Sequence, residues 1–295
     1  MASARVLIVA DAMDRRSDDD TGTRAARLTH GAAPQGAAHR AERRLRAGLV
    51  RLRSNATLDP TTIDRDQGCG MDFETLAQTR RSIRGYKPDP VPRAVIEEII
   101  TVAKAAPSSM NTQPWHVHVL TGAPLERVRQ RNTETMLGGA KANREIMTHG
   151  EYEGIHRARQ VAIAVKLFAA MGIERHDKAM RQDWVMRGFR QFDAPVSMVL
   201  TYDRDLDPGA VVHFDLGALS YGICLAAWDR GLGTVVNGQG IMRSEIVREE
   251  AGIPDSEVIM TCIALGYPNE TFAANTVKAD REPNDHFVRY VGFEA

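Results

Sequence analysis

Cysteine is scarce in this 295-residue chain: Cys69, Cys224 and Cys262 are all there is, odd in number and far apart. That excludes a disulfide framework and offers no metal-ligand spacing. Thiols left this way fit a reducing cytoplasm, the location expected for the chain. Cys224 and Cys262 sit in apolar runs and read as inert core residues. An excess of charge of either sign is also missing, because the formal net charge is zero and the pI is near 7.1. No general affinity for nucleic acid or an acidic membrane follows from such a balance. Long hydrophobic runs are lacking too. The longest candidate, Ile223 to Trp228 within Leu216 to Trp228, falls short of the ~20 residues that cross a bilayer and reads as a buried helix face. Lysine is absent from residues 1–70, which hold twelve arginines with many Ala, Asp and Gly. That stretch has too little apolar surface to bury and is expected to be a disordered N-terminal extension. Met71 directly after it is a candidate natural start, and an Arg-rich targeting leader is the alternative. No metal set, nucleophile elbow, P-loop or paired-carboxylate pattern stands out. His116 and His118 share one strand face and read as packing or surface residues.

Against these absences, one stretch is dense in information. Pro92 to Ala106 has apolar residues at helical spacing: Val95, Ile96, Ile99, Ile100, Val102 and Ala103. Pro92 suits the first turn and Pro107 cannot continue the helix. Ser108, Ser109, Met110, Asn111, Thr112 and Gln113 follow, a run of donors and acceptors. Pro114 precedes Trp115 to Leu120, which alternates as a strand does. Upstream lies Arg80-Arg81-Ser82-Ile83-Arg84-Gly85-Tyr86. Phe73 to Arg80 looks helical, and Gly85 and Pro88 break it, so the arginines fall where a helix gives way to a loop. Guanidinium forks match phosphate oxygens bidentately, and Ser82 adds a short hydroxyl donor.

The two segments together, at this spacing, resemble the nitroreductase family of flavoproteins, from roughly Phe73 to the C-terminus. The resemblance implies an α+β fold, a central, mostly antiparallel sheet flanked by helices, in an intertwined homodimer with two FMN molecules at its interface. It implies that Arg80, Arg81, Ser82 and Arg84 take the FMN phosphate and ribityl chain, with Arg84 reaching the ring. Pro107, Ser108, Ser109, Asn111 and Gln113 would line the isoalloxazine from the partner subunit. The residues 71–295 would then form one FMN-binding domain, with 133–193 a variable excursion over the flavin that shapes the substrate pocket.

Leu125 to Arg131 reads as a short basic helix, and Met136-Leu137-Gly138-Gly139 as a loop. Arg159 to Ala170 and Arg175 to Phe192 read as helices, the second carrying Met180, Trp184, Met186, Phe189 and Phe192, a stripe better suited to a core than to a binding surface. Val196 to Tyr202 is a strand. Val211 to Asp229 is a helix apolar almost all round, to be buried on most sides; the resemblance puts it at the dimer centre, and Gly231 caps it. Thr234 to Val236 is a strand. Gly238-Gln239-Gly240 fails as a dinucleotide fingerprint, because Arg243 stands where a third Gly is needed. A glycine turn lets backbone approach a ligand closely. The resemblance directs a backbone N–H from Val236, Asn237 or Gly238 at flavin N5. Glu257 to Leu265 is a strand ending in Gly266-Tyr267-Pro268. In Lys278 to Pro283, Arg281 would close on the FMN phosphate. Phe287, Val288, Tyr290, Val291 and Phe293 on the tail would form a strand crossing to the partner's sheet.

The expected activity is a ping-pong reaction: NADPH or NADH passes hydride to flavin N5 and leaves, and a small aromatic acceptor, a nitroaromatic or quinone, is reduced in its place. The lack of acid–base side chains agrees with a cofactor that carries the chemistry. Alternatives are a reductive dehalogenase, an oxygen-dependent flavin-fragmenting relative, or a flavin-binding protein without turnover.

Overall fold

The computed structural model describes residues 70–146, 150–207 and 209–293. Cys69 and the stretch 1–69, with the disorder expected there, lie outside the described residues. Eight α-helices and four strands are described: α1 (Phe73–Thr79), α2 (Arg93–Ala103), β1 (Trp115–Thr121), α3 (Gly122–Leu137), α4 (Gly154–Ala170), α5 (Lys178–Phe189), β2 (Val196–Asp203), α6 (Ala210–Asp229), β3 (Gly233–Val236), α7 (Ser244–Ala251), β4 (Glu257–Gly266) and α8 (Asn284–Phe287). Local signals set several ends. Asp72 accepts from Thr75 N at 3.0 Å and caps α1, while Gly231, at φ 68°, takes the left-handed position after α6 that glycine adopts without a Cβ penalty.

The strands form one sheet in the order β1-β2-β4-β3. All three pairings are antiparallel, with Val117 opposite Leu200, Met198 opposite Ile263 and Val235 opposite Ala264. β2 is buried over every residue but Asp203, because helices cover both sheet faces. On one face Ile96, Ile99 and Ala103 of α2 and Leu216, Leu219 and Ile223 of α6 pack on Met198, Leu200, Ile263 and Leu265. On the other, Leu125 and Val128 of α3 and Val247 of α7 meet Val199, Ile259 and Cys262. Each such fully buried aliphatic side chain contributes about 1.5–3 kcal/mol. At the α2–α6 crossing a Cβ on Gly222 would lie 3.2 Å from Ala103 Cα, so a residue without a side chain lets the two helices meet there.

Some expectations need correcting. α3 runs to Leu137 rather than ending at Arg131, and so takes in Met136 and Leu137, which read as a loop. Its second half looks polar, yet Asn132 and Met136 are buried; packing on α5 and α7, and not a continuous apolar stripe, carries it. α4 begins five residues earlier than Arg159 and α5 spans only Lys178–Phe189. Met186, Phe189 and Phe192 do enter the core, while Met180 is exposed. α6 is long and apolar enough, by length and composition, to cross a membrane, against the shorter run read from the sequence. In this fold it is the central core helix. It also leaves a stripe of Val211, Phe214 and Tyr221 uncovered, with Phe214 78% exposed. Among the described residues α8 is followed by extended chain, and Phe287, Tyr290, Val291 and Phe293 are exposed.

Candidate functional site

The Arg80–Tyr86 segment lies along the free edge of β3. Ile83 N donates to Thr234 O at 2.9 Å, and Ile83 is buried against Gly233, where any Cβ would collide with it. Tyr86 Oη reaches Ile83 O at 2.8 Å and Ala264 O at 3.2 Å, and burial pushes its phenol well above the ordinary value. The buried Asn275 clamps the next turn. Its Oδ1 accepts from Arg84 N at 2.8 Å and Gly85 N at 3.1 Å, and its Nδ2 donates to Gly85 O at 2.7 Å. Phe272 lies so close over Gly85 that a Cβ there would fall inside the ring's contact envelope. Arg187 lies over that ring, 4.7 Å from its centroid, and donates to Arg84 O at 3.2 Å. The backbone of this loop is therefore fixed by groups 100 to 190 residues away in sequence.

Its side chains are not so satisfied. Arg80 Nε and Arg81 Nε are buried with no hydrogen-bond partner, and neither guanidinium forms an ion pair among the described residues. Arg81 stands 5.9 Å over the Trp228 ring. Arg84 makes one long contact, Nη1 to Ser82 O at 3.4 Å, and burial lowers its pKa. A buried polar atom without a partner is costly. Three half-buried arginines flank Ser82 in the chain, none of them ion-paired among the described residues, and their donors would suit a ligand oxyanion such as the phosphate of FMN.

The turn after β3 answers which backbone N–H is available. Asn237 N donates to Cys262 O at 2.7 Å. Strand alternation then turns Val236 N–H to the outer edge, and Gly238 N–H has no acceptor among the described residues. The Asn237 side chain is buried: Nδ2 donates to Gly188 O at 2.8 Å and Gln191 Oε1 at 3.1 Å, and Oδ1 accepts from Gln239 N at 3.2 Å. Asn237 thus holds the turn in place, and Val236 and Gly238 are the residues that can face a ligand. Gln191 is the hub below, with Nε2 on Gly240 O at 3.2 Å and Oε1 taking the Cys262 thiol at 3.2 Å. Burial pushes that thiol up to about 12, so Cys262 is inert, as its surroundings in the sequence suggested.

The Pro107–Gln113 loop goes elsewhere within the chain. Ser109 N donates to both oxygens of Asp215, at 3.1 and 3.2 Å, and Asp215 is buried in the second turn of α6. Gln113 N donates to Ser108 Oγ at 2.9 Å. Met110, Asn111 and Gln113 take left-handed φ of 51°, 60° and 47°, and non-glycine residues persist there only when held. Asn111 and Gln113 are exposed, and Met110 is 93% exposed. No hydrogen bond or ion pair among the described residues joins this loop to Arg80, Arg81, Ser82 or Arg84.

Arg281 is exposed and donates to its neighbours' carbonyls, Ala279 O at 3.2 Å and Asp280 O at 3.0 Å. Its segment is tied to α4 through Lys166–Asp280 at 2.5 Å and Arg159–Glu282 at 2.8 Å. Residues that sequence reasoning missed are Asn275, Asp215, Arg187 and Gln191. Only Asp215 left a trace, as the one acid inside an apolar helix. His116 and His118 pair with Asp203 and Glu257 at 3.0 and 2.6 Å, and no metal-binding group is found among the described residues.

Residues 77–267 match the model of the nitroreductase family. A chloronitrobenzene nitroreductase of Comamonas testosteroni is 33% identical over 222 residues, covering 74% of this chain and 96% of that protein. A 4-nitrobenzoate reductase of Pseudomonas putida is 30% identical over 227 residues, covering 76% and 97%. The crystal structure of the FMN-dependent nitroreductase NfnB from Mycobacterium smegmatis in complex with NADPH superposes with a TM-score of 0.69 at 26% identity, covering 74% of this chain and 97% of that one. A family model matched over residues 77–267 and relatives of this identity and coverage lead to one conclusion: the chain belongs to the nitroreductase family.

Proposed function

We propose that this protein is an FMN-dependent oxidoreductase that takes reducing equivalents from NAD(P)H and delivers them to nitroaromatic, and also quinone-type, acceptors. The observation that carries the reading is the pair Arg80 and Arg81 beside the free edge of β3, both half-buried, each with a buried Nε that has no hydrogen-bond partner and neither in an ion pair among the described residues. These two residues and Ser82 would hold the FMN phosphate, since charge-assisted bidentate contacts are the strong ones. The N–H groups of Val236 and Gly238 would face the ring, and the desolvated guanidinium of Arg84 would hold positive charge against it. Bound there, FMN would supply the hydride chemistry that no side chain of this chain offers. A single site used in turn by donor and acceptor would make the kinetics ping-pong.

The protein works as a homodimer in this reading. Phe214, Val211 and Tyr221 form an uncovered apolar stripe on α6, next to the strained and exposed Pro107–Gln113 loop. Such patches mark association surfaces, and the loop would meet the partner's flavin rather than its own. The test is a visible spectrum of the purified protein, then anaerobic addition of NADPH, then a nitroaromatic. A yellow dimer that bleaches and regains colour on the nitroaromatic is expected. A colourless preparation that ignores added FMN sinks the reading. Phe214→Glu should yield monomers in analytical ultracentrifugation; an unchanged dimer would put the interface elsewhere.

A further inference from the structure

One cation at the edge of this site has no role in holding the cofactor phosphate. Arg144 belongs to the excursion, and the residues on either side of it are fastened. Asn143 N donates to Met242 O at 2.6 Å, Ser244 N to Asn143 O at 3.2 Å, and Asn143 Nδ2 to Glu245 at 3.0 Å. Glu145 receives Arg248 Nη2 at 2.7 Å on both oxygens and Ile259 N at 2.9 Å. Arg144 between them makes no hydrogen bond or ion pair with any described residue, and its Nε is buried without a partner. Several other arginines of 129–248 are ion-paired, among them Arg129 with Glu126, Arg131 with Glu249 and Glu250, Arg187 with Asp193, and Arg248 with Glu145. Burial lowers the Arg144 pKa with no opposing charge.

Its position gives this isolation a direction. Arg144 Nη2 lies 3.9 Å from the point where a Cβ on Gly238 would stand, and apart from Gly238's chain neighbours nothing else comes within 4 Å of that point. The guanidinium therefore borders open space beside an exposed glycine with an unused N–H. A fork of donors, held by its neighbours, desolvated and unmatched, is built for a ligand's anion.

We propose that Arg144 is the recognition site for an oxyanion on the small molecule that enters beside Gly238, which makes it a specificity-determining residue of the reaction. The oxyanion comes either from an aromatic acceptor bearing a carboxylate or from the ribose phosphate of the reductant. The inference rests on the flavin reading for the reaction itself, though not for the binding.

The test uses the full chain and the variants Arg144→Gln and Arg144→Lys. Calorimetric titration with benzoate and, separately, with 2′-AMP reads binding without turnover. Steady-state kinetics read two ratios of kcat/KM: 4-nitrobenzoate to its methyl ester, and NADPH to NADH. Losing one partner of a desolvated charge pair is expected to weaken binding roughly tenfold to a hundredfold in Arg144→Gln. The matching ratio should fall by a similar factor, and Arg144→Lys should recover part of it. A change confined to benzoate and the ester ratio assigns the site to the acceptor; one confined to 2′-AMP and the NADPH ratio assigns it to the reductant. Unchanged binding and unchanged ratios in a folded Arg144→Gln overturn the proposal, as does loss of FMN with both ratios intact. Should Arg144→Gln not fold, unchanged ratios together with undetectable binding of both probes to the wild-type and Arg144→Lys proteins overturn it equally. A colourless wild type would defeat the flavin reading while leaving the titrations to decide this one.

Discussion

Arg80 and Arg281 carry the same side chain, and both stand in basic, loop-like stretches that point to a phosphate. The fold treats them in opposite ways. Arg80 and its neighbour Arg81 are half-buried beside β3, each with a buried Nε that meets no acid or carbonyl of the described residues. Arg281 stays in solvent and bonds the carbonyls next to it, on a segment pinned to α4 by Lys166–Asp280 and Arg159–Glu282. Charge alone therefore does not separate the two segments; burial without a partner does. An exposed guanidinium is met by water and by its own backbone, whereas a half-buried one with an unpartnered Nε keeps donors in reserve.

The sharpest way to break this comparison is to remove both kinds of arginine. Arg80→Ala with Arg81→Ala should weaken FMN binding a hundredfold or more, as expected from truncating desolvated charge partners. Arg281→Ala should stay within about threefold in the same flavin-fluorescence titration. Equal losses would mean that the C-terminal segment closes on the phosphate after all. The next largest effect tests the cradle's scaffold. Gly85→Ala forces a Cβ into Phe272, and overpacking of this kind costs about 1–3 kcal/mol, to be read as a lower Tm with reduced FMN content. A wild-type Tm would show that Phe272 gives way freely.

Asp215→Ala separates the second loop from both arginine sites. Ser109 N–H would lose its acceptor, at a cost of about 1–3 kcal/mol. Amide exchange at Ser109 should accelerate at least tenfold while FMN phosphate affinity moves less than in the arginine variants. Unchanged exchange would mean that the left-handed turn holds itself. The smallest effect belongs to the exposed segment. Hydrogen bonds from His286 and Arg159 lower the Glu282 pKa. A carboxylate depressed in the folded state adds stability above its unfolded pKa and loses it as pH falls through the folded value. Glu282→Gln should accordingly shift Tm at pH 7 by no more than about one degree, because exposed pairs are worth little, and should make the acid limb of the stability profile marginally flatter. A large shift would give that segment the structural weight denied to it here.

How much of this was legible beforehand follows from where the information sits. The helices with regular apolar spacing and the strands rich in Val, Ile and Leu were readable because each satisfies its own backbone and buries a face that the pattern names. The Arg80–Arg84 and Ser108–Gln113 stretches stood out as candidate sites because their residue types concentrate chemistry locally. Asn275, Gln191 and Asp215 were not. Each acts on backbone groups over 40 residues away, and nothing beside them in the chain announces the partner. The second half of α3 was missed for a related reason: Asn132 looks like surface, yet its Nδ2 donates to Gly240 O at 3.1 Å inside the core.

The sequence by itself determined the family and the antiparallel α+β plan, and named the arginines expected to seek a phosphate, since those rest on local pattern and residue chemistry. Only the tertiary structure decided which arginines are partly buried without partners, which N–H groups of the glycine turn stay unused, and which buried amide or acid holds each loop. Those are properties of distance and burial, and they come into being when the segments pack.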